Sequence, residues 1–227
     1  MFTRLLPLIQ EEGLNTLQNS TVMVVGCGGV GSFAVEALAR SGVGRLIIID
    51  KDAVDITNLN RQLIALHSTI DQYKVDILEA RIKDINPACE VIKFAEFYTL
   101  ENKEKFWAYK IDFVIDAIDT VTFKIDIIKT ALAKDIKFIS VVGQGNRMRP
   151  EMIDIRDITK TEYDPLAKAI RVKLRKDRVK GKVPVVFNKE IPFKAKDGSR
   201  RPASNAFVPA AAGLTAASYA VRTLIEV

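Results

Sequence analysis

The chain has 227 residues, 48% of them hydrophobic, and carries 34 Lys and Arg against 28 Asp and Glu, for a net charge of +6 and a pI near 9.2. That is enough apolar material to bury a proper core in one domain spanning 1–227, and mild basicity is compatible with a polyanionic partner. Two cysteines, Cys27 and Cys89, form no C-x-x-C pair, which excludes a disulfide framework and a four-cysteine zinc.

The start of the chain lacks a signal-peptide pattern, so a reducing cytoplasm is the expected location. A polar–apolar lead-in predicts a short helix over 8–17. Val22-Met23-Val24-Val25 reads as a buried strand, followed by Gly26-Cys27-Gly28-Gly29-Val30-Gly31-Ser32 and a helix from Phe33. Glycines 26, 28 and 31 match G-x-G-x-x-G. In that motif one glycine makes the tight turn, another admits a phosphate close to backbone, and the third packs helix on strand. Free N–H groups at the helix start favour an anion there. Leu46-Ile47-Ile48-Ile49 predicts a second strand ending in Asp50, an acid placed roughly 20 residues on, as a ribose hydroxyl requires.

A loop follows that holds Asp52, Asn58, Asn60, Arg61 and Gln62, and then Lys74 opens the next helix, with Val75, Leu78, Ile82 and Ile85 at helical spacing. Strands are predicted at 91–94, 113–115, 137–142 and 152–155, with helices at 101–109 and 121–132. Strands alternating with helices imply an α/β, Rossmann-like, doubly wound and mainly parallel sheet with helices on both faces. Ligands bind such sheets beyond the strand carboxyl ends, where the glycine turn, Asp50, Asp119 and Gly143 all fall.

The nucleotide-binding core is read as 20–150, and about 157–203 as a basic insertion. From 168 to 182 the cations Lys168, Arg171, Lys173, Arg175, Lys176, Arg178, Lys180 and Lys182 face one acid, Asp177, and Lys194, Lys196, Arg200 and Arg201 follow. The stretch 202–221 has no charge, but Ser204, Asn205, Pro209, Gly213, Thr215 and Ser218 dilute it. Leu214, Ala217, Val221 and Leu224 recur at helical spacing. A buried helix is predicted there, and membrane association is not.

The polar residues separate a dehydrogenase from an ATP enzyme. Arg61 and Lys74 offset triphosphate charge, and Asp119 is a candidate magnesium ligand, since magnesium takes carboxylate plus phosphate oxygens. ATP with magnesium is therefore expected, with no zinc. Each residue also has a plain reading: a surface ion pair for Arg61, a solvated helix residue for Lys74, a turn-forming acid for Asp119. His67, the single histidine, is read as structural.

These motifs, G-C-G-G-V-G-S, I-D-K-D-x-V, N-L-N-R-Q, Lys74 and D-A-I-D, resemble the ThiF/MoeB-type adenylating superfamily of ubiquitin-activating enzymes and their bacterial relatives. The resemblance implies that Asp50 holds ribose, that Gly26, Gly28, Gly29, Gly31, Asp52, Asn58 and Gln62 belong to the nucleotide site, that Asn60, Arg61 and Lys74 serve the phosphates, and that Asp119 holds magnesium. The Phe2-Thr3-Arg4 start resembles an arginine donated across a homodimer, with Arg4 completing the partner's site. A-R-S-G-V-G, R-I-x-x-I-N-P, V-I-D-A-I-D and D-P-L-A-K resemble the tRNA threonylcarbamoyladenosine dehydratase branch. That branch implies adenylation of a carboxylate on tRNA, then cyclising dehydration, with the anticodon region over the ATP. No cysteine follows Cys89, which argues against thioester or persulfide chemistry in this chain and leaves sulfur transfer to a partner protein. The alternatives are an adenylating enzyme for a small carrier protein, a nucleotide-binding scaffold and a nicotinamide oxidoreductase.

Overall fold

A computed structural model describes residues 1–194 and 202–227; the expected contacts of Lys196, Arg200 and Arg201 fall outside them. The strands are β1 (Thr21–Val25), β2 (Arg45–Ile49), β3 (Glu90–Phe94), β4 (Phe113–Asp116), β5 (Lys137–Val141), β6 (Ile153–Asp157) and β7 (Pro184–Asn188). They form one sheet in the order β3-β2-β1-β4-β5-β7-β6. All pairings are parallel except β6 with β7.

The apolar runs of the central strands have nowhere to face water. Val22 and Val24 of β1 enter one core while Met23 and Val25 enter another, as expected of a parallel sheet covered on both sides. The first core is closed by α1 (Leu6–Gln18), α2 (Gly31–Arg40), α3 (Lys74–Ile85) and α7 (Val208–Leu224), and the second by α4 (Lys103–Trp107), α5 (Val121–Ala133) and α6 (Pro165–Lys176). The doubly wound α/β reading is thus the observed architecture.

Two details differ from the sequence reading. The stretch 157–203 supplies α6 and β7, and β7 pairs with β5 on one side and β6 on the other. Its Pro184-Val185-Val186-Phe187 run is short and flanked by cations, so it gave no strand signal. In α7 the predicted face is rotated: Leu214 is exposed, while Ala212, Gly213, Ala216, Ala217 and Ala220 are buried. The reason is close approach to α2, since a Cβ on Gly213 would lie 2.2 Å from the Val30 carbonyl oxygen. Among the described residues, no helix is long and apolar enough to cross a membrane.

Candidate active site

The carboxyl ends of β1, β2, β4 and β5 open onto a cleft of about 1690 Å³. Its floor is the glycine turn. Gly26 has φ +90°, and a Cβ there would meet the Ala117 carbonyl at 2.9 Å; a Cβ on Gly31 would lie 1.8 Å from Gly26 O. Packing requires both glycines. Gly28 is different, because a Cβ there would meet nothing closer than Gln62 Nε2 at 3.7 Å. The fold leaves open the space beside Gly28, which is where the motif brings a phosphate against backbone.

At the end of β2 the Asp50 carboxylate accepts the Cys27 N–H at 2.6 Å and the Asp52 N–H at 2.8 Å. Lys74, only 4% exposed, donates to Asp52 Oδ2 at 3.1 Å and lies 4.0 Å from Asp50 Oδ1. It is thus a buried ammonium aimed into the cleft and balanced by two carboxylates, not a solvated helix residue. Asn58 is buried and caps the 3₁₀ turn at Ile56–Asn58 by accepting the Asp55 N–H. Arg61 lines the cleft with its guanidinium bonded to Thr57 O and Asn60 Oδ1. Gln62 is buried at the rim with Oε1 lacking a partner among the described residues. Asp119 is exposed on the rim.

Some candidates lie apart from this cluster. Asn60 does not itself line the cleft: it accepts from the Arg61 guanidinium and donates to Ser204 O at 3.0 Å. Arg4 is exposed and lines no part of this cleft. Its neighbour Phe2 packs on Gly42, beyond the far end of α2 from Gly31, about 15 Å of helix away. His67 is exposed and outside the cleft. Cys27 and Cys89 are both buried; burial pushes the Cys27 thiol well above its usual range and Cys89 up to about 11. Neither is a thiolate at neutral pH, so neither is an available nucleophile.

Several residues of the site escaped the sequence reading. Beneath the cleft Lys124 donates to Asp116 Oδ2 at 2.7 Å, Ser140 Oγ bonds the same oxygen at 2.7 Å, and the ion pair is fully buried. Burial pushes the Asp116 carboxyl above its usual value. On the opposite wall, buried Arg147 bonds Gly143 O, Tyr163 O and Glu190 O and lies 3.6 Å from Asp164 Oδ2. Asp164 caps α6 through the Ala167 N–H, and burial pushes its carboxyl up. Its Oδ2, like Gln144 Oε1, lacks a hydrogen bond among the described residues. The D-P-L motif marked Asp164 in the sequence; nothing local marked Arg147 or Lys124.

A glycine turn on a helix start, an acid at the end of the next strand and a buried lysine across from them define a nucleotide-binding α/β protein. The ThiF family profile matches residues 2–226, and the chain belongs to that family. It is 51% identical to the tRNA threonylcarbamoyladenosine dehydratase of Bacillus subtilis, over 96% of this chain and 92% of that protein. Its structure superposes on Escherichia coli tRNA N6-threonylcarbamoyladenosine dehydratase in complex with ATP with a TM-score of 0.92 at 34% identity, covering 99% of this chain and 93% of that one. A probable molybdopterin-synthase adenylyltransferase of Porphyra purpurea is 42% identical, but over only 38% of this chain and 23% of that protein.

Proposed function

We propose that the chain is an ATP-dependent tRNA threonylcarbamoyladenosine dehydratase. The carrying observation is the near-full-length likeness to the Bacillus subtilis dehydratase. The substrate carboxylate attacks the α-phosphorus of ATP and pyrophosphate leaves. The ureido group of the same modification then attacks the acyl carbon, AMP leaves and a ring closes, so the nucleoside loses one water overall. Intramolecular attack has a high effective molarity, which suits a chain whose two thiols are buried and protonated.

The residue roles are part of the proposal. Asp50 takes the ribose and the Gly28 backbone receives phosphate. Lys74 and Arg61 stabilise charge developing on the phosphates, while Gln62 and Asn58 shape the rim and Asn60 steadies Arg61. Asp119 supplies the single carboxylate that magnesium needs beside phosphate oxygens; among the described residues no three His, Cys, Asp or Glu groups converge into a protein-only metal site. Magnesium bound there would neutralise phosphate charge. Arg4, far from its own cleft, fits a role in the partner subunit of a two-fold dimer. The exposed cations of α6 hold tRNA phosphates around the anticodon. The reaction belongs in the reducing cytoplasm, and any sulfur transfer beside it needs a thiol from another protein.

The test is incubation of tRNA bearing threonylcarbamoyladenosine with ATP and magnesium, followed by nucleoside mass spectrometry. The expected product is lighter by one water, with AMP and pyrophosphate formed only when that tRNA is present. AMP formation with a carrier protein and no tRNA would favour the carrier-protein reading instead.

A further inference from the structure

We propose that Tyr163 and Phe193 form a stacking clamp for a nucleobase of the RNA substrate at the mouth of the cleft. The inference rests on the tRNA reading above and gives that substrate a defined subsite. Both residues line the cleft, and both are exposed, 56% and 59%. Phe97 on the other wall is already occupied: it meets Phe123 edge-on at 5.1 Å and sits under Lys51 Nζ at 4.8 Å. Among the described residues, neither Tyr163 nor Phe193 has such an aromatic or cationic partner.

One short loop holds both. Asn146 O accepts the Phe193 N–H at 2.7 Å, and the next residue, Arg147, donates to Tyr163 O at 3.1 Å. Tyr163 has φ +52°, a left-handed conformation that a bulky side chain adopts only when its surroundings impose it. Here Arg147 grips its carbonyl, and the following residue, Asp164, caps α6. The backbone is strained and the ring it carries is exposed at the cleft, so core packing does not explain the arrangement.

Charge identifies the occupant. Lys168, Arg171 and Lys194 line the same cleft, and Arg171 is fixed by bonds to Thr161 Oγ1 at 2.8 Å and Ile158 O at 3.1 Å. Open rings among cations are what loop RNA uses, with bases stacked on aromatics and phosphates on Lys and Arg. A loop base must leave its own stack to bring its modification to ATP, and the clamp supplies the replacement stack.

The experiment compares Tyr163→Asn, Phe193→Ala, the double variant and Tyr163→Trp with the parent, reading KM for tRNA, ATP affinity, melting temperature and salt dependence. Asn tolerates the left-handed backbone, so Tyr163→Asn should melt no lower than the parent. It should still raise the KM for tRNA about tenfold, as should Phe193→Ala. ATP affinity should stay unchanged, and so should the salt slope, because no charge is removed. Tyr163→Trp should keep the parent KM. A double variant with the parent KM would overturn the clamp, as would loss of ATP affinity and tRNA affinity together. A parent enzyme that leaves modified tRNA untouched would overturn the tRNA reading instead.

Discussion

The bonds of Asp50 and Asp52 in the cleft wall over β1 and β2 stay within one strand–helix–strand unit, whereas the wall over β5 and β7 also needs partners much farther along the chain. Cys27 bonds Asp50 across 23 positions, and Lys74 reaches Asp52 across 22. On the second wall Arg147 reaches Glu190 across 43 positions, and Asn146 reaches Ala203 across 57. The first wall follows from a strand–turn–helix unit whose geometry is stored in its glycines. The second exists only once β7 has paired between β5 and β6. It also carries two buried oxygens that lack hydrogen bonds among the described residues, on Gln144 and Asp164. One wall of a cleft can therefore be local and transferable, while the wall facing it depends on long-range assembly.

The largest effect should come from the pair that underlies both walls. Lys124→Met leaves Asp116 buried without its cation and should cost about 3–5 kcal/mol in chemical denaturation. Adding Asp116→Asn should recover part of that loss, since the uncompensated charge is then gone. If Lys124→Met is as stable as the parent, the two walls do not share this anchor.

Within the first wall the glycines should split. Gly31→Ala places a methyl on the Gly26 carbonyl and should destabilise the protein by about 3 kcal/mol. Gly28→Ala should leave the melting temperature unchanged and weaken ATP binding in calorimetry. Equal melting temperatures for the two variants would show that the turn can shift to accept either methyl.

The second wall should be the pH-sensitive one. Burial holds the native Asp164 carboxyl above its ordinary 3.8, so the folded protein binds that proton more tightly than the unfolded chain. The stabilisation it brings is complete below the unfolded value and is lost as pH rises through the native one. Asp164→Asn keeps a capping side chain, so it should gain stability relative to the parent from about pH 4 toward neutrality. Parallel stability–pH curves would remove this difference between the walls.

The smallest effects belong to the outer face of α6. Replacing Lys168, Arg175 and Lys176 by Ala should leave melting unchanged and flatten the log–log salt dependence of tRNA binding by roughly 0.7–0.9 for each phosphate no longer neutralised. Arg171→Ala should instead also cost about 1 kcal/mol of stability, because its guanidinium holds Thr161 and Ile158. An unchanged slope in the triple variant would reassign this face to solvent.

The sequence by itself determined the doubly wound sheet and the contents of the first wall. Short valine and isoleucine runs bounded by turn residues favour buried strands, the glycine spacing fits a turn onto a helix, and Asp50 follows at the distance one crossover requires. Lys74 was visible as a cation at a helix start, though only the packed structure shows that it is buried between Asp50 and Asp52. The tertiary structure alone decided the rest. Lys124 looks like any surface lysine until β4 and β5 lie side by side, and Arg147 like one more cation in a basic protein. Leu214 read as a core residue until the small residues of α7 drew that helix onto α2 and turned it outward. Periodicity and turn chemistry are written in neighbouring residues, whereas a buried charge is explained by partners that only strand pairing brings within reach.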